Sequence, residues 1–155
     1  MRWLRRLSAW LGGAMLAAVL GSSVQTQFNL AELQALGASI DLSTRWSATL
    51  HDLSGFTPAW WGLLVAGFAL ALPMAAWLSQ RHGLRDQWYA LAGAMTVVAI
   101  LCSMRTLLGI TVVAAARHWP GFLCLSLAGA VGAWASGRWL SARPRRDISA
   151  TMGDN

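Results

Sequence analysis

The residues best equipped for chemistry are few. His51 and Asp52 are adjacent, Arg117 and His118 are adjacent, and Arg105 stands inside an apolar run. An imidazole and a carboxylate beside two guanidiniums suit an anionic headgroup, a quinone or a carboxylate substrate. That site requires the segment carrying His51 to reach Arg117 and His118. Arg105 lies about three residues inside its run, roughly 5 Å deep at helical rise. A guanidinium buried in a membrane is costly and is usually paired or functional. At this shallow depth, however, the long side chain can also reach the headgroups.

Cys102 and Cys124 fall inside apolar runs, with no CxxC spacing. Counted along their helices, both lie some 7–9 Å below one surface. If the two helices are neighbours, a disulfide between them is an option; otherwise they are small buried apolar residues. The histidines, His51, His82 and His118, all lie outside the apolar runs. A bundle that binds b-type haem needs facing histidines inside it, and zinc needs a third ligand. No P-loop, GxSxG, HExxH or dinucleotide fingerprint occurs. No cofactor or metal is expected.

The elements that position these residues follow from composition. The chain has 155 residues, enough for one domain. Apolar residues make up 56% and charged residues 12%, half the charge of an ordinary soluble domain. Too little charge remains to cover a solvated globule, and disordered chains lack such apolar content. The class that fits is all-α: a polytopic membrane protein with four transmembrane helices in a small bundle.

The expected spans are about 7–24, 59–78, 88–108 and 120–140, each close to the length that crosses a bilayer core. Arg2, Arg5 and Arg6 precede the first. A secretory signal peptide shares that pattern. Trp10 and the small-residue stripe Gly13, Ala17 and Gly21 favour a retained helix with a close-packing face. Gly129, Ala133 and Gly137 repeat the spacing in the last span, so the first and last helices are expected to touch. Trp60 and Trp61 at one end of the second span and Trp77 at the other mark its interfaces. Pro73 kinks it, and Pro120 opens the last span where a missing N–H costs nothing.

Residues 25–58 read as the one long loop, with helical pieces. Asn29 and Glu32 have capping-box spacing, and a short helix should end at Gly37. A second, amphipathic helix should begin near Asp41 or Ser43 and end by Gly55 and Pro58. Leu42, Trp46, Leu50 and Leu53 share one face, which needs cover from the bundle or the membrane surface. The pattern leaves open whether 109–119 extends the third helix or lies at the interface. Residues 141–155 read as a polar tail.

The net charge is +6 and every basic residue is Arg. The arginines fall in short clusters between apolar runs, which argues for membrane topology and against nucleic acid. Arg2, Arg5, Arg6, Arg81, Arg85, Arg138, Arg143, Arg145 and Arg146 fall on one side; Arg45, Arg105 and Arg117 fall on the other. That bias places both termini in the cytoplasm of a cell with a bacterial-type inner membrane.

The leading functional expectation is a non-enzymatic accessory, assembly or scaffold subunit. Close-packing faces, an ordered outer segment and spans almost free of ionisable groups support it. The expected partners are the lipid bilayer and either another membrane protein or a second copy. A small oligomeric transporter or channel comes second, because every acidic residue lies outside the spans, where coupling groups are not placed. A membrane enzyme or a quinone- or lipid-binding module using the outer polar cluster comes third.

Overall fold

The computed structural model describes residues 2–108 and 113–141. Four helices account for nearly all of them: α1 (Arg2–Ala35), α2 (Leu42–His82), α3 (Arg85–Leu108) and α4 (Trp119–Ser141). A 3-10 turn, Ala114–Arg117, precedes α4. Each α-helix is long and apolar enough to cross a membrane. The helices form a ring in chain order, with α4 closing against α1. Neighbours run antiparallel: Trp10 meets Val65 while Gln34 meets Arg45, and Arg5 meets Leu140 while Gly13 meets Ser136. One end of the bundle holds the N-terminus of α1, the α2–α3 turn and the end of α4. We call it the terminal end, and the opposite one the hairpin end.

The long loop expected over 25–58 is not a loop. α1 continues to Ala35 and α2 starts at Leu42, leaving only a tight connection. No Gly or Pro lies between Gly21 and Gly37, so nothing breaks α1 when its residues turn polar. Asn29 is therefore interior to a helix, and its capping box is not used. Gly37 stops α1 as expected, at φ 93°. Ala38 N–H donates to Leu33 O at 3.1 Å and Gly37 N–H to Gln34 O at 3.0 Å, a Schellman closure. Asp41 then caps α2, accepting from Thr44 N–H at 2.9 Å and from the Ser43 hydroxyl at 2.8 Å.

Gly55 and Pro58 do not end the outer helix either; both lie within α2. Proline removes one backbone bond, and a helix with packed neighbours tolerates that loss. The second span and the amphipathic segment are thus one helix of about 61 Å, roughly twice the thickness of a hydrocarbon core. The α2–α3 turn is shorter than expected, made by Gly83 (φ 68°) and Leu84 (φ 44°).

Small residues decide the packing. A Cβ on Gly13 would strike the Ser136 hydroxyl and the Gly132 carbonyl. Ser136 Oγ–H donates to Ala9 O at 2.8 Å across this contact. Gly129 and Gly137 face α3 instead, against Gly93, Val97 and Tyr89, and Ala133 is buried beside Gly93. α4 therefore has two small-residue rows: Gly132 with Ser136 toward α1, and Gly129 with Ala133 and Gly137 toward α3. Ala17 meets Gly132, while Gly21 faces the Trp60 indole on α2. Trp60 is 2% exposed, so it packs inside the bundle and does not anchor in headgroups. Trp77 is exposed, with Arg81 stacked over its ring. Exposed Trp119 and Trp139 stand about 30 Å apart along α4, one hydrocarbon thickness.

Some buried hydroxyls turn back on their own helices, while those of Ser22 and Thr57 have no partner among the described residues. Thr96 donates to Ala92 O and Ser126 to Phe122 O. This satisfies the polar atom without a partner helix.

Candidate functional site

The hairpin end gathers most of the polar residues singled out in the sequence, but not as one cluster. His118 Nε2 lies 3.2 Å from Glu32 Oε1, and Arg117 Nη1 lies 3.7 Å from Glu32 Oε2. Glu32 on α1 thus joins the two residues that precede α4. One turn-pair lower, the Ala115 N–H donates to Gln25 Oε1 at 2.9 Å. Val113 and Ala115 are buried against the bundle. The described part of 109–119 is therefore not a helical extension of α3. It is a packed turn, fastened to α1 by Gln25 and Glu32. Residues 109–112 lie outside the described residues.

Asp52 is held separately. Its Oδ2 accepts from the Thr26 hydroxyl at 2.8 Å. His51, next to it, is exposed, since adjacent helical residues point about 100° apart. Arg105 is exposed near the end of α3 and has no ion-pair or hydrogen-bond partner among the described residues. The expected cluster of His51, Asp52, Arg105, Arg117 and His118 is thus split. Only Arg117 and His118 share a partner, and that partner, Glu32, was read in the sequence as a capping residue. The signal for Glu32 is that it is the first acidic residue of the chain, but the sequence reading places it in a loop helix apart from the first span.

The arrangement has the chemistry of a latch. Arg117 and His118 are well exposed, so their pairing with Glu32 contributes on the order of 0–1 kcal/mol. Among the described residues no three His, Cys, Asp or Glu side chains converge as metal ligands. The disulfide considered for Cys102 and Cys124 is absent; both are free, and Cys102 is exposed. Leu101 and Leu125 take the inward positions beside them, at 7% and 1% exposure, which turns both cysteines off the shared face.

The outer part of α2 is amphipathic as expected, but its apolar face is not covered by the bundle. The polar side packs on α1. Arg45 donates to Gln27 Oε1 and Gln34 Oε1, both at 2.8 Å, and Gln27 Nε2 donates to Thr49 at 3.4 Å. The apolar side points out: Leu42, Trp46 and Leu50 are 75%, 68% and 64% exposed. Leu36, at the turn, is exposed as well. Leu53 is half-buried. An apolar ridge thus stands exposed beside a polar seam between α1 and α2, an apolar face left without cover.

Asp41 completes this end. The Thr44 hydroxyl and N–H, with the Ser43 hydroxyl, hold its carboxyl down at about 2. The charged cap also complements the positive end of the α2 dipole.

No known protein family, characterised protein or solved structure matches this chain.

Proposed function

We propose that this small four-helix membrane protein is a non-enzymatic accessory subunit that docks on another membrane protein through the ridge Leu42, Trp46 and Leu50. One observation carries the reading: the outer part of α2 turns Arg45 toward Gln27 and Gln34 of α1 and leaves the apolar ridge Leu42, Trp46 and Leu50 exposed. Residues four apart on one helix face form a single ridge, the form in which a helix seats in an apolar groove. Trp is the residue type most enriched where such contacts are strong. In this reading the terminal end faces the cytoplasm, since Arg5, Arg6, Arg81, Arg85 and Arg138 all lie there. Arg2 precedes them, and Arg143, Arg145 and Arg146 lie in the tail outside the described residues. The ridge then faces the periplasm or exterior.

The experiment is the mass of the complex, extracted gently from its native membrane at native expression level, beside a Trp46→Ser/Leu50→Ser variant. The chain itself is 16.7 kDa. The reading expects reproducible, stoichiometric additional polypeptides that the variant releases while it still accumulates. A wild-type mass explained by copies of this chain alone, or partners that the variant retains, would overturn it.

A further inference from the structure

The terminal end contains a cavity of about 740 Å³, within the usual size of a ligand pocket. Its rim carries Arg5, Arg6 and Arg85, and its floor is apolar, with Phe68 and Leu72 both buried. No Asp or Glu lines it. The nearest carboxylate in sequence, Asp86, is engaged elsewhere, 3.3 Å from Arg138 Nε. The cavity therefore pairs an arginine-lined mouth, carrying Arg6 and Arg85, with an apolar interior.

Two observations show that the residues are arranged as a site. Arg85 stacks over the Tyr89 ring at 5.2 Å, which orients a guanidinium at the mouth. Tyr89 is 2% exposed, lines the cavity, and has no hydrogen-bond partner for its hydroxyl among the described residues. The hydroxyl oxygen itself keeps some accessible surface, so it is open to an occupant of the cavity. Space for an occupant comes from α2, where Ala69, Pro73 and Ala76 present little bulk to the same cavity.

From this geometry we infer that the cavity binds a phosphate-headed amphiphile, an anionic glycerophospholipid, by its head and one chain. The Arg6 and Arg85 guanidiniums hold phosphate oxygens through charge-assisted hydrogen bonds. The Tyr89 hydroxyl donates to an oxygen of the head or its ester. The acyl chain lies on Phe68 and Leu72. The terminal end is where a bilayer presents such heads, beside exposed Trp77 and Trp139.

The test is native mass spectrometry of the full chain in detergent, titrated with phosphatidylglycerol, phosphatidylcholine or glycerol phosphate. The expected result is retention of phosphatidylglycerol about tenfold more tightly than phosphatidylcholine. Arg6→Gln/Arg85→Gln should weaken it by about tenfold or more. Tyr89→Phe should weaken it by a few fold, since it removes one neutral hydrogen bond and leaves the ring in place. Arg105→Gln, which removes the same charge at the opposite end, should leave binding unchanged. Thermal melts of each variant report whether the fold is intact. Equal binding by the double variant and the wild type would overturn the inference, as would equal loss in Arg105→Gln. So would full displacement by glycerol phosphate, which would make the site one for a soluble phosphate.

Discussion

Gly93 of α3 and Gly129 of α4 face each other so closely that a methyl group on either would run into the other's backbone carbonyl. Contact at this distance maximises dispersion between helices that gain nothing from excluding lipid from each other. Gly93→Val should therefore separate α3 from α4 and destabilise the bundle by about 1–3 kcal/mol. Gly62→Ala, where an added Cβ meets nothing within 4 Å, should be neutral or stabilising by up to about 1 kcal/mol. Unfolding in mixed detergent micelles measures both, and equal effects would refute the assignment of the α3–α4 contact.

The turn before α4 depends more on its amide bond than on its ion pairs. Gln25→Leu leaves the Ala115 N–H without its acceptor, so hydrogen exchange there should quicken by at least about tenfold. Glu32→Gln should change global stability by less than about 1 kcal/mol, because Arg117 and His118 are exposed. A larger effect of Glu32→Gln than of Gln25→Leu would reverse this ranking.

The cap on α2 should respond to acid. Asp41 ionises with a value lowered from 3.8 to about 2, so the folded state holds the carboxylate more tightly than the unfolded chain does. Its contribution is fully present above pH 3.8 and fades as pH falls toward 2. Fraying of Leu42–Arg45, followed by amide shifts, should therefore begin below about pH 4 and be absent in Asp41→Asn, which titrates nothing. A midpoint near 4 in the wild type would show that Thr44 and Ser43 do not bind the carboxylate.

Both thiols should be available. Non-reduced, denatured protein should take up two maleimides per chain, at Cys102 and Cys124. In the folded protein a membrane-soluble maleimide should label exposed Cys102 before half-buried Cys124. Protection of both in the non-reduced sample would mean that they are bridged.

The all-helical class, with four long apolar helices, was legible in the chain. Apolar runs of bilayer length permit helices, and the start of α4 at Pro120 and the stop of α1 at Gly37 follow from local backbone chemistry that needs no partner. The N-cap at Asp41 belongs with them. Local rules failed where two of them competed. Asn29 and Pro58 carry signals for helix ends, yet each lies inside a helix, because neighbouring turns and packed helices outweigh one weak cap or one lost bond.

Pairing across the bundle was decided only by tertiary structure. Residue spacing alone puts small-residue rows on α1 and α4. It could not say that Gly129, Ala133 and Gly137 turn to α3 while Gly132 and Ser136 meet α1, since both rows satisfy the same spacing. Nor could it separate His51 and Arg105 from Arg117 and His118, or place Glu32 between the last two. Arg5, Arg6, Arg85 and Tyr89 are scattered along the chain, and their common cavity exists only once four helix ends close around it. Helical periodicity records which residues share a face. Which face meets which is set by the fit of side chains across the helices, a property of pairs that no single segment contains.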